Sequence, residues 1–453
     1  MTPPRRFTLH RTAALLALGL AGLSAQAQSL QELYDAARGY DATYLGAQAA
    51  ASAAQYRADQ ANALWLPTVG LSAGASRTEA DTPYASTRST NTNATNVALQ
   101  AQQNLFNRAN SVSIEQAKRG VELAQTQLRA AEQDLVVRVA QAYFDVLAAQ
   151  DTLTTVQANK KANAEQLASA KRNFEVGTAT ITDTREAQAR YDLVLAQEVA
   201  ADNDLRVKRL ALEQLVGKTG LEPRPLAQPV ALPPLQPAEV NAWVGEAETR
   251  NTTIEQARLG LEVAKLETAK AQAGHLPTVA LTGSYGKTHV SVSGDTVTPG
   301  GLVGYSTSGT GTNAAIGVSV TVPLFAGFAV QNRVKETLSL EDKARNDYEA
   351  SRRGVTQGTR SAFFGVQAGQ AQVKALEAAE SSSKLALEAT QLGYKVGVRV
   401  NLDVLNAQTQ LFQTQRDLAK ARYDVIVGGL KLRQAAGTLQ PADVANVNAL
   451  LAK

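Results

Sequence analysis

The chain has 453 residues, no cysteine, 5% aromatic residues and a formal charge of +4 from 45 basic and 41 acidic side chains. The missing cysteines exclude a disulfide framework and an acyl anchor on an N-terminal cysteine. So few aromatics, in a chain dominated by alanine, glutamine, leucine and valine, suit long packed helices and speak against the large core of a typical enzyme.

At the N-terminus Arg5, Arg6 and Arg11 precede an apolar run from Ala13 to Leu23, and Ala25-Gln26-Ala27 has the small-x-small pattern of a cleavage site. Residues 1–27 are therefore read as a signal peptide. Its apolar run of about 11 residues is too short to cross a bilayer as a helix, which takes roughly 20, and this argues against an uncleaved anchor. Removing it takes away three arginines and no acid, lowering the formal charge from +4 to +1. No nucleic acid or other polyanion partner follows from so small an excess. No later apolar run reaches the ~18 residues of a transmembrane helix, so a membrane span would have to be built from strands.

The first repeat is expected over 28–220, with a leading helix, a strand pair at 66–106 and a long helical hairpin at 109–217. Val69, Leu71, Ala73 and Ala75, and then Val97, Leu99, Ala101, Gln103 and Leu105, alternate with small or polar residues, the period of a strand with one apolar face. The polar stretch from Arg77 to Asn96 shows no period and reads as a loop. From Asn110 to about Phe174 only Gly120 interrupts a helical pattern, with apolar residues on heptads at Ile114, Ala117, Val121, Ala124, Leu128, Ala131 and Leu135. Two spacings of four at Ala131, Leu135 and Val139 form a stutter, after which the seam resumes. About 65 helical residues at ~1.5 Å each give a rod of roughly 100 Å. Its alanine-rich seam suits a helix flanked by two neighbours, as in the wall of a cylinder.

The rod ends at Phe174-Glu175-Val176-Gly177, with glycine in the left-handed cap position, and a helix restarts near Thr180 to run back beside it. Residues 221–240 follow as a linker, in which six of the 14 prolines lie between Pro223 and Pro237. The second repeat, 241–437, has a helix, a strand pair at 276–326 and a helical hairpin at 329–436, leaving 438–453 as a tail. Val279, Leu281 and Tyr285, and Ile316, Val318, Val320, Val322 and Leu324, mark its strands, with Thr288 to Asn313 read as a polar loop. The rod seam recurs at Val355, Thr359, Ala362, Val366, Gly369, Val373 and Leu376.

The duplication is explicit at an offset of 220 residues. A-Y-F-D-V-L-A-A-Q at 142–150 matches A-F-F-G-V-Q-A-G-Q at 362–370 in five of nine positions, and Val176-Gly177, Asp183, Ala187-Gln188, Asp204 and Gly217 all recur in register. Four strands per chain fall short of the roughly eight of the smallest membrane barrels. Two or three chains sharing one barrel would satisfy this, and the residues favour neither number.

Four motifs in order carry a family resemblance: Ala273-Gly274-His275-Leu276-Pro277-Thr278; Ala142 to Leu147; Phe174 to Asp183; and Gly393-Tyr394-Lys395-Val396-Gly397 with Asp403-Val404-Leu405. With them the chain resembles the TolC family of outer-membrane ducts over nearly its whole mature length, and the family's lipid-anchored members less. The resemblance implies a mainly α protein with a transmembrane β-barrel, in which a homotrimer shares 12 strands above a long periplasmic α-helical cylinder. It implies a non-enzymatic channel, without cofactors, in contact with outer-membrane lipid. Such a duct exports small molecules or type I secreted proteins, working with an inner-membrane ABC or RND-type pump and a periplasmic adaptor of the membrane fusion class.

Carried over by position, Thr182, Asp183, Tyr394 and Arg399 would lock the periplasmic end, and Asp403 would form an acidic entrance ring able to bind or favour cations. The family's second acidic position is Asn406 here, so the ring is single. Read as residues alone, Asp183 and Asp403 sit at helix starts, where a carboxylate caps the positive end of the dipole for about 0.3 to 1 kcal/mol. His275 and His289 lack spaced partners, so no metal site is expected. Trp65, Phe106, Phe325 and Phe328 flank strand ends, as a membrane-boundary girdle would. The competing function is a soluble periplasmic coiled-coil adaptor of a transport complex, which would have no use for apolar strand faces.

Overall fold

The structure is a computed structural model and describes residues 27–82, 87–230 and 232–452. The expected signal peptide therefore lies, apart from Ala27, outside the described residues. The chain divides into two compact units.

The helical unit comprises the described parts of Met1–Gln48, Leu128–Ile254 and Arg352–Lys453. It takes in α1 (Leu30–Arg38), most of α3 (Arg108–Glu175), α4 (Ile181–Val216), α5 (Val240–Arg250), most of α7 (Ala329–Lys395), α8 (Asn401–Ala435) and α9 (Ala442–Asn448). Its main core gathers around the stretch of α3 that begins within the stutter: Leu135, Val136, Val139, Ala140, Tyr143, Phe144, Val146 and Leu147 are all buried. So many consecutive buried positions exceed a single heptad stripe. Leu30 and Tyr34 of α1, Leu226 of the linker, Ile426 and Leu430 of α8 and Val444 of α9 belong to the same cluster.

The repeated aromatic motif is explained here. The Tyr143 hydroxyl donates to the backbone oxygens of Arg224 (2.9 Å) and Gln28 (3.2 Å), fastening linker and N-terminal segment to α3. Phe144 stacks on Tyr423 at 5.6 Å between ring centroids. The linker also meets the C-terminal tail, since Ala227 N–H donates to Leu450 O and Ala452 N–H to Pro225 O. In contrast α7 is buried along one stripe, with Thr359, Phe363, Val366 and Val373 enclosed and Phe364 left 54% exposed. Where that stripe meets α8 the contact is close: a Cβ on Gly369 would lie 2.8 Å from Val425 Cγ2.

The sheet unit, Ala49–Gln127 and Glu255–Ser351, holds most of α2 (Ala42–Asn62), α6 (Thr252–Gln272) and four strands. β1 (Thr68–Asp81), β2 (Thr87–Phe106), β3 (Thr278–Thr298) and β4 (Gly301–Thr321) form one antiparallel sheet in the order β1-β2-β3-β4. Short 3-10 turns, Ala63–Trp65 and Ala273–His275, enter β1 and β3 at equivalent points of the two copies.

This corrects the two expected loops. Most of Arg77 to Asn96 and of Thr288 to Asn313 is strand, with the ladder running on to Asp81↔Ser89 and Thr298↔Gly301. Threonine is β-branched and suits a strand, but where both faces are polar the apolar alternation that announces a strand disappears. The register places Leu71, Leu99, Tyr285 and Ala314 in one row and Val69, Ala101, Gly283 and Ile316 in the next, all on one face. That face is apolar and bare: Leu71 is 74% and Ile316 83% exposed. The other face carries Gln100, Gln102, Thr282 and Ser284. Among the described residues no helix is long and apolar enough to cross a membrane.

Candidate functional site

The two helical hairpins turn by the same backbone device. Gly177 and Gly397 adopt φ of 77° and 80°. Their N–H groups donate to Phe174 O and Tyr394 O, while Thr178 and Val398 N–H donate back to Asn173 O and Gly393 O. This is the paired bonding of a Schellman cap, in which glycine takes the left-handed position without a Cβ penalty.

The copies part at the helix restart. In the first, Thr180 Oγ1 accepts from Asp183 N–H at 3.2 Å and the Asp183 carboxylate accepts from Thr180 N–H at 2.8 Å, a complete capping box. In the second, Val400 holds the cap position and offers no side-chain acceptor. Asp403 is left free of a capping role and lies 3.5 Å from Arg399. The same residue type at the same repeat position is thus a cap in one copy and half of an ion pair in the other.

Of the positions singled out in the sequence, the structure joins Arg399 to Asp403 and brings Tyr394 to a residue that sequence reading missed. Asn173 Nδ2 donates to the Tyr394 hydroxyl at 3.1 Å, linking α3 to α7. Neither Tyr394 nor Arg399 is joined to Thr182 or Asp183 within the described chain; Thr182 is exposed and Asp183 is occupied by its cap. Asn406 receives a bond from Arg190 Nη2 at 3.0 Å, linking α4 to α8. Gln166 Nε2 donates to Asn401 Oδ1, a part-buried contact between α3 and α8 in which Asn401 is enclosed. Asn173 precedes the cap by one turn, so a search for polar residues facing the second copy could have found it.

Near the turns the helices are held by a small cluster, Leu167, Ala170, Ala187 and Leu405, supplemented by these polar links. Buried Asn159, Asn163, Gln408 and Thr414 continue the polar character along α3 and α8. Farther from the turns the packing becomes aromatic, and Tyr423 donates to Asp151 Oδ2 at 2.6 Å. Burial pushes the Asp151 carboxyl above its usual range, opposed by that hydrogen bond, and burial with the Asp151 charge pushes the Tyr423 phenol up. Among the described residues no cluster of His, Asp or Glu could hold a metal ion.

Comparison with known proteins agrees with the repeat. The family model described as outer membrane efflux protein matches residues 23–218 and again 243–438, the same 220-residue offset. The outer membrane protein TolC of Escherichia coli K12 is 34% identical over 442 residues, covering 97% of this chain and 88% of that one. The alkaline protease secretion protein AprF of Pseudomonas aeruginosa is 32% identical over 71% of this chain and 65% of its own length. The crystal structure of the outer membrane protein VceC of Vibrio cholerae superimposes with a TM-score of 0.74 at 22% identity, over 90% of this chain and 96% of that one, and shares the fold. The chain belongs to the outer membrane efflux protein family, a family of non-enzymatic outer-membrane channels, as its motifs led us to expect.

Proposed function

We propose that three copies of this chain form an exit duct, each giving four strands to one 12-stranded barrel and four long helices to a periplasmic cylinder. Cargo would enter from an inner-membrane ABC or RND-type pump through a periplasmic adaptor and leave without any bond being made or broken. The observation that carries this reading is the sheet: one apolar exposed face, one polar face, and two outer strands, β1 and β4, each paired on one side only among the described residues. Lipid tolerates no open strand edge, so such a sheet needs further copies to close it. Exposed apolar residues on α4 (Leu193, Val199, Leu210) and α7 (Phe364, Leu385, Leu392) offer faces for neighbouring copies. The names of the relatives span efflux and protease secretion, and both small molecules and proteins remain within the proposed cargo.

The hairpin turns are the proposed gate, with Asp403 lining the entrance as a single acidic ring. An exposed pair such as Arg399 and Asp403 contributes about 0–1 kcal/mol, and one neutral hydrogen bond such as Asn173 to Tyr394 about 1 kcal/mol. Links this weak hold a closed state that a partner can open. Thr182 and Asp183 would enter the lock only across a copy boundary, because within one chain Asp183 serves its own helix. The test is single-channel conductance in planar bilayers: Tyr394→Phe and Arg399→Ser should each raise it, and the double variant more. Unchanged conductance in all three would sink the gate, and recovery of the protein in the soluble periplasm without detergent would sink the duct.

A further inference from the structure

The ladder continues well past the apolar rows of the sheet, and the charges on the continuing part of that same face are ordered. Beyond the row of Leu71, Leu99 and Tyr285 comes a boundary row in which Ala73 and Val97 are joined by Lys287 and Thr312. The next row holds Thr95, His289 and Thr310, and the one after it Arg77 and Ser291. Carboxylates appear only farther out, with Glu79 in the following row and Asp81 and Asp295 in the row beyond. Rows on one face are separated by roughly 6.7 Å, so cations occupy the first ~15 Å outside the apolar band and acids the zone past it.

Arg77 is already engaged by Glu79 at 2.7 Å. Lys287 has no carboxylate partner among the described residues, and it is exposed. His289 is one row away, with Nδ1 3.0 Å from Thr310 Oγ1. A cation two residues past the last aromatic of a lipid-facing strand stands at headgroup depth, where its stem covers apolar surface and its ammonium reaches out.

We propose that Lys287 and His289, with the hydroxyls of Thr95, Thr310 and Thr312, form a site for a phosphorylated lipid headgroup of the outer leaflet. The acyl chains lie along Tyr285, Leu99 and Ile316, and the phosphate meets Lys287 by a charge-assisted hydrogen bond. The polar strand extension then stands in the layer of headgroups and attached sugars. The proposal rests on the barrel reading, which supplies the lipid.

The full chain, reconstituted in phosphatidylcholine vesicles doped with lipid A, tests it. Lipid A retained after re-extraction is read by mass spectrometry, and conductance of the same samples is read in parallel. A cation at a membrane surface is worth about a fivefold change in association, so Lys287→Gln should lower retention about fivefold and Lys287→Gln/His289→Gln further. Glu79→Gln, which releases Arg77, should raise it, and dephosphorylated lipid A should be retained equally by all forms. Equal retention of phosphorylated lipid A by wild type and both Lys287 variants, in samples that conduct normally, overturns the headgroup site and leaves the duct intact. Failure of the wild type to insert and conduct overturns the duct reading and the site with it.

Discussion

Asp183 and Asp403 stand 220 residues apart at the same point of two equivalent turns, yet their carboxylates have different partners because one neighbour is Thr180 and the other Val400. Both lie in the first turn of a helix, as the local reading expects of a carboxylate that favours the positive end of the dipole, but only Asp183 also closes a capping box. Asn406 is modified in the same way by its surroundings. An aspartate there would add a second acidic position, but Arg190 at 3.0 Å would pair with it. Asn406→Asp alone should change block by divalent cations little, and Asn406→Asp with Arg190→Gln should strengthen it, as read from current block in bilayers. Two other carboxylates predict opposite pH responses. Arg138 grips Asp41 through two bonds of 2.8 and 2.9 Å and holds its carboxyl below the usual range. That stabilisation is complete above the ordinary carboxylate pKa of about 4 and is lost as pH falls through the depressed folded value. Arg138→Ala should destabilise the protein at neutral pH by about 1–3 kcal/mol, the range for charge-assisted hydrogen bonds in a part-buried pair, with the difference shrinking in acid. Asp151 has its folded pKa raised by burial, so its ionisation destabilises as pH rises past about 4. Asp151→Asn, still able to accept from Tyr423, should melt higher than wild type at neutral pH and equally at low pH.

At the scale of elements, the second copy lacks one cap that the first possesses. Val400→Thr would restore the T-x-x-D box at the start of α8, adding about 1 kcal/mol and drawing Asp403 away from Arg399. Hydrogen exchange of the amides of Asn401 to Leu405 should slow about fivefold, and unchanged exchange would show that the box does not form. The seam between α7 and α8 predicts the reverse sign. Gly369→Ala sets a methyl against Val425 and should destabilise by about 1–3 kcal/mol in thermal unfolding. Heptads made the long helices and this seam readable, because each buried stripe repeats along one continuous element. The outer halves of the strands were not readable, since solvated threonine and serine carry no alternation that separates ladder from loop.

For the whole molecule, duplication governs what one chain can and cannot complete. Phe144 and Phe364 are equivalent, yet Phe144 is 1% exposed beneath Tyr423 and Phe364 is 54% exposed. We expect a neighbouring copy to cover Phe364. Light scattering in detergent should give three chains per particle, and Phe364→Glu should shift that distribution toward monomer while leaving helical content unchanged.

The sequence by itself determined the duplication, the helical hairpins, the alternating strand cores and the family, because each is written in a local period or a motif in fixed order. Tertiary structure alone decided which polar groups meet. Asn173 with Tyr394, Arg190 with Asn406 and Tyr423 with Asp151 each join different long helices, at separations of 216 to 272 residues. No local period reports such pairs, since a polar residue that faces another helix and one that faces water leave the same trace in the chain.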